Sequence, residues 1–472
     1  MNAPIALDLR KSRLYFRWLM LAASEAALLA TVFVLAWQRN WPIDLPGFDY
    51  ASVRLTHTLP TVRLVEVFAG VAVIAYLSAG WPHRERLTNG AGRLFTWALV
   101  LLPLAAALST TWSLHPGLAV VQSVHMMLWA GFTLMIVCTD VSVGSIVAMF
   151  LAGLLAHSAV GFLQVSLQHF VGLGPKFGEL PVTPQDTWAS VVTAGPVRLL
   201  RAYGLSGHPN VLGGHLAVGV VLAWGILVTW PRVWRALIVP AWAAIWALLL
   251  LTFSRSAWLA TVAGLLIALL LLVRGRLLER RIIASSGTLA VIALALTVWF
   301  AATFSPFLSG RFGAAAQPLE TYSLNQRAEM IGVAIQLIAT YPFSGVGAAN
   351  YSVASEQVTP GHYPLNSIHN VPLLIASEQG VPGAVLFLIV CGCLIWRGWT
   401  RWRSRALTVW SALLAGALAA LFVIMVVDSY LWTAPQGALL WALVMGCWLR
   451  QNSSPGGAHF GASGISETWR LH

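Results

Sequence analysis

The chain alternates long apolar runs with short polar breaks over most of its length. Runs near the length of a bilayer-crossing helix, about twenty residues, fall at 16–36, 62–80, 93–110, 118–137, 141–165, 209–230, 233–252, 256–273, 282–304, 382–396, 406–427 and 429–449. About twelve transmembrane spans are expected. All should be helical, because an open sheet in lipid leaves backbone groups unpaired. Two connections are long, at 166–208 and 305–381, and ordered loops of that size usually carry function. In the second, Leu324–Ala339 has apolar residues at helical spacing, with Arg327 and Glu329 at its start. That pattern predicts an amphipathic helix at the membrane surface. Tyr341-Pro-Phe-Ser-Gly-Val-Gly347 predicts a turn. The expected organisation is a transmembrane bundle over 1–304, a loop with surface helices over 305–381, further spans over 382–450 and a tail over 451–472.

Composition agrees with this pattern. Of 472 residues, 58% are hydrophobic and 9% charged, with a mean hydropathy of +0.76. These values belong to an all-α polytopic membrane protein and exclude a soluble domain. The net charge of +12 raises the question of nucleic acid. The basic residues, however, lie between apolar runs, not in one stripe beside aromatics as a groove binder needs. Taking the amino terminus as inside, about nineteen Lys and Arg fall on inner segments and about nine on outer ones. Both termini are thus expected in the cytoplasm and both long loops outside. The first run follows Arg10, Lys11, Arg13 and Arg17 and reads as a retained span, not a cleaved leader. Cys138, Cys391, Cys393 and Cys447 lie in or beside apolar runs and signal neither a metal site nor a disulfide framework.

One stretch interrupts the hydrocarbon with polar and chain-breaking residues, Gly361-His-Tyr-Pro-Leu-Asn-Ser-Ile-His-Asn-Val-Pro-Leu-Leu-Ile-Ala-Ser-Glu-Gln-Gly-Val-Pro-Gly383. Ser367 or Asn370 can cap a short helix there. Glu378 falls near its end, and Gly380, Pro382 and Gly383 break it. His369 is then placed at the mouth of a membrane helix, either to take a proton from a substrate hydroxyl or simply as a hydrogen-bonded capping residue. Arg255, in Leu251-Thr-Phe-Ser-Arg-Ser-Ala-Trp258, separates two apolar runs with no acidic neighbour in sequence; it either snorkels or meets an anion. Arg201-Ala-Tyr-Gly-Leu-Ser-Gly-His-Pro-Asn-Val-Leu-Gly-Gly214 suits an anion-binding helix terminus beside a planar guanidinium. A capped helix with a surface arginine explains the same residues. Arg198 and Arg327 share the expected outer face.

His208 and His215 read as hydrogen-bonded polar spots, not metal ligands. Glu25, Glu66, His125, His157 and Asp428 are scattered over different helices, which argues against a proton relay. The sequence has no phosphate-binding loop for ATP. The outer carboxylates form no close pair for a divalent metal or for glycoside hydrolysis. What remains is a set of arginines and a histidine. That set suits transfer from a phosphate or diphosphate donor, with arginines stabilising the leaving group and histidine accepting the nucleophile's proton.

Arg201–Asn210, Phe253–Trp258 and Asn325–Gly383 together resemble the O-antigen ligase family and its relatives, the O-antigen polymerases and protein O-oligosaccharyltransferases, over roughly residues 105–430. The most specific part is Arg327, Pro342, Gly345, Gly347 and His369–Asn370, with Glu378 and Gly380 at family-like spacing. Leu108–Pro116 is also similar to the family pattern, with His115 where an acidic residue is common. The resemblance implies an inner-membrane glycosyltransferase whose long periplasmic loop carries amphipathic helices between spans nine and ten. Its donor would be a glycan on undecaprenyl diphosphate, its acceptor a sugar hydroxyl of the lipid A core, with no metal and no cofactor. His369 would act as general base or orient the acceptor, while Arg201 and Arg255 would hold the diphosphate. Arg198, Tyr203, Asn210, Arg327, Asn370 and Glu378 are the expected substrate-binding residues. The shared motifs concern the donor, so polymerase and protein glycosylation remain open. A lipid-linked glycan flippase or permease is the alternative from another class.

Overall fold

The computed structural model describes residues 3–43, 61–87, 91–312, 318–359 and 367–451. Gly361–Asn366 of the polar stretch, Asp44, Asp49 and the tail from 452 onward, including Arg470, lie outside the described residues. Among the described residues there are sixteen α-helices. The strands there form two short antiparallel hairpins, Asn40–Pro42 with Thr61–Arg63 and Val191–Ala194 with Val197–Leu200.

Ten helices among the described residues are long and apolar enough to cross a membrane. The remaining two expected runs are also helical but shorter. Leu64–Ser78 has 15 residues, because the strand Thr61–Arg63 occupies the start of its run. In the last run, a four-residue helix, Tyr430–Thr433, and an extended Ala434 precede Pro435–Gln451, which has 17 residues. The expected run at 382–396 is the interior of a 34-residue helix, Val371–Ser404.

Pro209–Thr229 is fully enclosed in the bundle. Arg255–Arg274 and Val409–Val427 both pack on it and on each other. Small residues let these last two backbones meet, as is common between membrane helices: a Cβ on Gly416 would lie 2.4 Å from the Gly264 carbonyl oxygen. This packing collects the first residues of two helices and the last residues of the third at one end of the bundle.

A second joint fixes His369. Helix Val371–Ser404 is broken at Gly380, whose φ of 68° and ψ of −177° are not helical. Pro382 has no N–H to donate to the Glu378 carbonyl, so that oxygen needs another partner. It accepts from Gly347 N–H at 2.8 Å, and the Ser377 carbonyl accepts from Val346 N–H at 3.0 Å. Val381 N–H donates in return to the Pro342 carbonyl at 2.8 Å. The predicted turn at Tyr341–Gly347 is therefore half of an interlock. Its closeness demands glycine: a Cβ on Gly380 would lie 2.4 Å from the Phe343 oxygen, and one on Gly345, with φ +63°, would lie 2.3 Å from the Glu378 oxygen. Leading into the turn, the expected amphipathic segment lies within helix Pro318–Thr340. Met330, Ala334 and Leu337 are buried on its inner face, while Ile331 and Ile335 are exposed.

Candidate active site

Asn370 is the N-cap of the broken helix. Its side-chain oxygen accepts from Leu373 N–H at 3.0 Å, and its amide nitrogen donates to the Val426 carbonyl at 3.0 Å. One side chain thus starts a helix and pins it to the end of another. The pinned end belongs to Val409–Val427, where Asp428 is the C-cap. His369 Nδ1 lies 3.1 Å from Asp428 Oδ1, which also accepts from Ser429 N–H at 2.9 Å.

Asp428 connects further. Its Oδ2 accepts from Asn210 Nδ2 at 3.1 Å, and Asn210 Oδ1 accepts from Arg201 Nη2 at 2.6 Å. Arg201 Nε donates to the Thr252 carbonyl at 2.6 Å. A continuous relay thus runs from His369 through Asp428, Asn210 and Arg201 to the turn that begins helix Arg255–Arg274. Arg255, part-buried, is the first residue of that helix after its N-cap Ser254. Phe253 makes the turn with φ of 49°. Arg327 reaches the same corner, with Nη1 3.4 Å from the Val427 carbonyl. His208 supports Asn210: its Nδ1 accepts the Asn210 N–H at 3.1 Å, and its Nε2 lies 2.7 Å from Ser190 Oγ.

Asp428 is only 5% exposed. Burial alone would raise its carboxyl pKa, but the hydrogen bond from His369 and the nearby positive charge of Arg327 hold it well below the usual carboxylate range. An ionised Asp428 accepts and cannot donate, which assigns the proton of neutral His369 to Nδ1. Nε2 is then the ring's lone-pair atom, the form a general base requires.

The other expected site residues take different positions. Arg198 donates from Nε to the Pro184 carbonyl at 2.5 Å and from Nη2 to that of Asp186 at 3.1 Å. Tyr203 is buried, and its hydroxyl accepts from Ser190 N–H at 2.6 Å. Both brace the loop that carries Arg201 and His208. In that loop Glu179 accepts from the Val171, Gly172 and Leu173 N–H groups and from Gln164. Glu378 is buried on a neighbouring cleft, 3.4 Å from Tyr351 N. His115 is an N-cap whose N–H donates to Asn350 Oδ1 at 2.6 Å. His215 is buried between the Val211 and Gln436 carbonyls. Among the described residues, no three of His, Cys, Asp and Glu come together as metal ligands.

Sequence reasoning passed over Asp428 as one of several scattered acidic groups. The available signal was its position between two apolar runs, where a carboxylate needs a partner. The partner itself could not be read, because His369 and Asn210 are remote in sequence.

The fold and this corner define a multi-pass helical membrane protein with a histidine–carboxylate–amide–guanidinium relay. Residues 240–388 match the sequence model of a family described as O-Antigen ligase, which supports that family for the chain and implies a membrane enzyme that transfers glycosyl groups. The matched segment contains Arg255, Arg327, His369, Asn370 and Glu378, whereas Arg201, Asn210 and Asp428 lie outside it. No curated protein matches the chain.

Proposed function

We propose that the protein transfers a glycan from undecaprenyl diphosphate to a sugar hydroxyl of the lipid A core, at the periplasmic face of the inner membrane. The relay from His369 to Arg201 supports this reading, because it brings an imidazole and a guanidinium, groups suited to accepting a proton and to meeting a diphosphate, together from distant segments. His369 Nε2 takes the proton of the acceptor hydroxyl while that oxygen bonds to the anomeric carbon. The bond from that carbon to the diphosphate oxygen breaks, and the lipid diphosphate departs with the electron pair. Arg201 and Arg255 counter the growing charge, assisted by the positive end of helix Arg255–Arg274. A single displacement inverts the anomeric configuration. General-base catalysis of this kind contributes roughly 10²–10⁴-fold, and one pre-aimed donor on the departing charge roughly 10²–10³-fold.

The test is purified protein with a lipid-diphosphate glycan and core lipid A. Capped lipopolysaccharide from wild type, and none from His369→Ala, supports the reading. Longer lipid-linked chains over an untouched core would identify a polymerase, and a glycosylated acceptor protein an oligosaccharyltransferase. If His369→Ala stopped glycan movement across vesicles yet still consumed a donor presented outside, the transferase reading would fail.

A further inference from the structure

A second polar cleft is lined by residues that include Arg63, Gln122, His125, Ser367, Glu378 and Trp432. It shares two chain segments with the relay: Ser367 precedes His369 closely, and Trp432 follows Asp428 in helix Tyr430–Thr433. Arg63 is 1% exposed, and its Nε and Nη1 meet no acceptor among the described residues. Glu66 supplies the nearest opposite charge, but its oxygens bond other groups and leave those two guanidinium nitrogens without a hydrogen bond. One of its oxygens accepts the Arg63 backbone N–H at 2.9 Å, and the other lies 3.2 Å from His125 Nε2. Ser367 Oγ and Trp432 Nε1 are also buried without a partner among the described residues. The Trp432 ring is held edge-on against Trp129 at 6.0 Å and Phe387 at 5.8 Å, so its N–H has a fixed direction.

Unpaired buried donors are costly, a guanidinium above all. Here they share one cleft, which marks it for a ligand rich in acceptor oxygens. Glu378, Gln122 and Ser367 on the same walls offer hydrogen-bonding groups that a bare anion would leave unused. A sugar that carries an anionic group satisfies both, since its charge can meet Arg63 while its hydroxyls face Glu378, Gln122 and Ser367. We infer that this cleft binds a phosphate- or carboxylate-bearing sugar of the acceptor glycan, and so sets which acceptor presents its hydroxyl to His369. The word acceptor rests on the proposed transfer reaction; the binding chemistry does not.

The test uses the full chain in phosphatidylcholine nanodiscs and ligand-observed saturation-transfer NMR, with glucose 6-phosphate, glucose and inorganic phosphate as probes. The inference expects saturable binding of glucose 6-phosphate, tighter than either fragment, and weakened at least about tenfold by Arg63→Gln. Ser367→Ala and Trp432→Phe should each weaken it by roughly threefold, and they decide the matter if Arg63→Gln does not fold. His369→Ala should bind as wild type does. In the transfer assay, Arg63→Gln should raise acceptor KM about tenfold with donor KM unchanged. Absence of saturable binding, equal binding by folded Arg63→Gln, or inorganic phosphate binding as tightly as the sugar phosphate would each overturn the inference. Displacement of the probe by phosphatidylglycerol nanodiscs would overturn it too, assigning the cleft to a lipid headgroup. Binding through Arg63 by a protein that transfers no glycan would sustain the cleft and refute the reaction instead.

Discussion

Asp428→Asn is the most direct perturbation of the relay, because the two side chains have the same shape. Asp428 accepts at both oxygens: from His369 and Ser429 on one, and from Asn210 on the other. An amide replaces one acceptor with an NH₂ donor, and neither orientation suits the site. Facing Asn210, it meets another amide NH₂, and turning Asn210 over would present an NH₂ to Arg201. Facing His369, it forces the ring proton from Nδ1 to Nε2 and removes the base. A buried donor left unsatisfied costs about 1–3 kcal/mol, or roughly five- to a hundred-and-fortyfold at 1.4 kcal/mol per decade. Loss of the oriented tautomer costs up to about 10⁴-fold, as in serine proteases whose buried aspartate is replaced by asparagine. The expected result is kcat lower by about 10²–10⁴-fold with circular dichroism and elution volume unchanged, measured as core capping at saturating donor and acceptor. Acid stability supplies an independent reading. The Asp428 carboxyl titrates lower in the folded chain than the ordinary value of about 3.9. Its contribution is therefore complete above that value and is lost as pH falls through the folded pKa. Asp428→Asn should lower stability near neutrality and flatten the acid limb below about pH 4. A kcat within about threefold of wild type, together with an unchanged acid limb, would refute the relay.

Three further substitutions probe the elements that hold this corner. Arg201→Lys keeps the charge but cannot serve the Thr252 carbonyl and Asn210 as a planar fork; kcat/KM for the donor should fall by roughly 10²-fold, and a near-normal value would reduce Arg201 to a point charge. Gly380→Ala combines a positive φ with a contact of 2.4 Å to the Phe343 oxygen. It should cost at least about 1–3 kcal/mol in a thermal-unfolding assay. Gly392→Ala in the same helix, with nothing within 4 Å, should be neutral or slightly stabilising, and equal shifts for the two would sink the interlock. Asn370→Ala removes both the cap and the tie to Val426. We expect about 1 kcal/mol lost from stability and a lower kcat at unchanged donor KM, and an unaltered kcat would free His369 from this cap.

Much of this arrangement could be read from the sequence because it is local. Apolar runs report their own burial, so the helices could be laid out from hydropathy, and the composition fixed a polytopic membrane protein. Asn370 before Val371–Pro372, and Gly380 before Pro382, mark a helix start and a helix break by backbone chemistry that needs no distant partner. Those two signals placed His369 correctly at a helix mouth. What the residues at 342–347 were for could not be read locally, since their glycines answer to the backbone at 377–381. The same limit hid Asp428. A carboxylate between apolar runs announces a need for partners but not their identity, and His369 and Asn210 reach it only through helix packing around Pro209–Thr229. Arg198 and Tyr203 have the residue types of a binding site, yet tertiary contacts turn them into braces of their own loop. Hydrophobic periodicity is a property of each segment alone. The relay depends on which segments meet, and side-chain packing in three dimensions decides that.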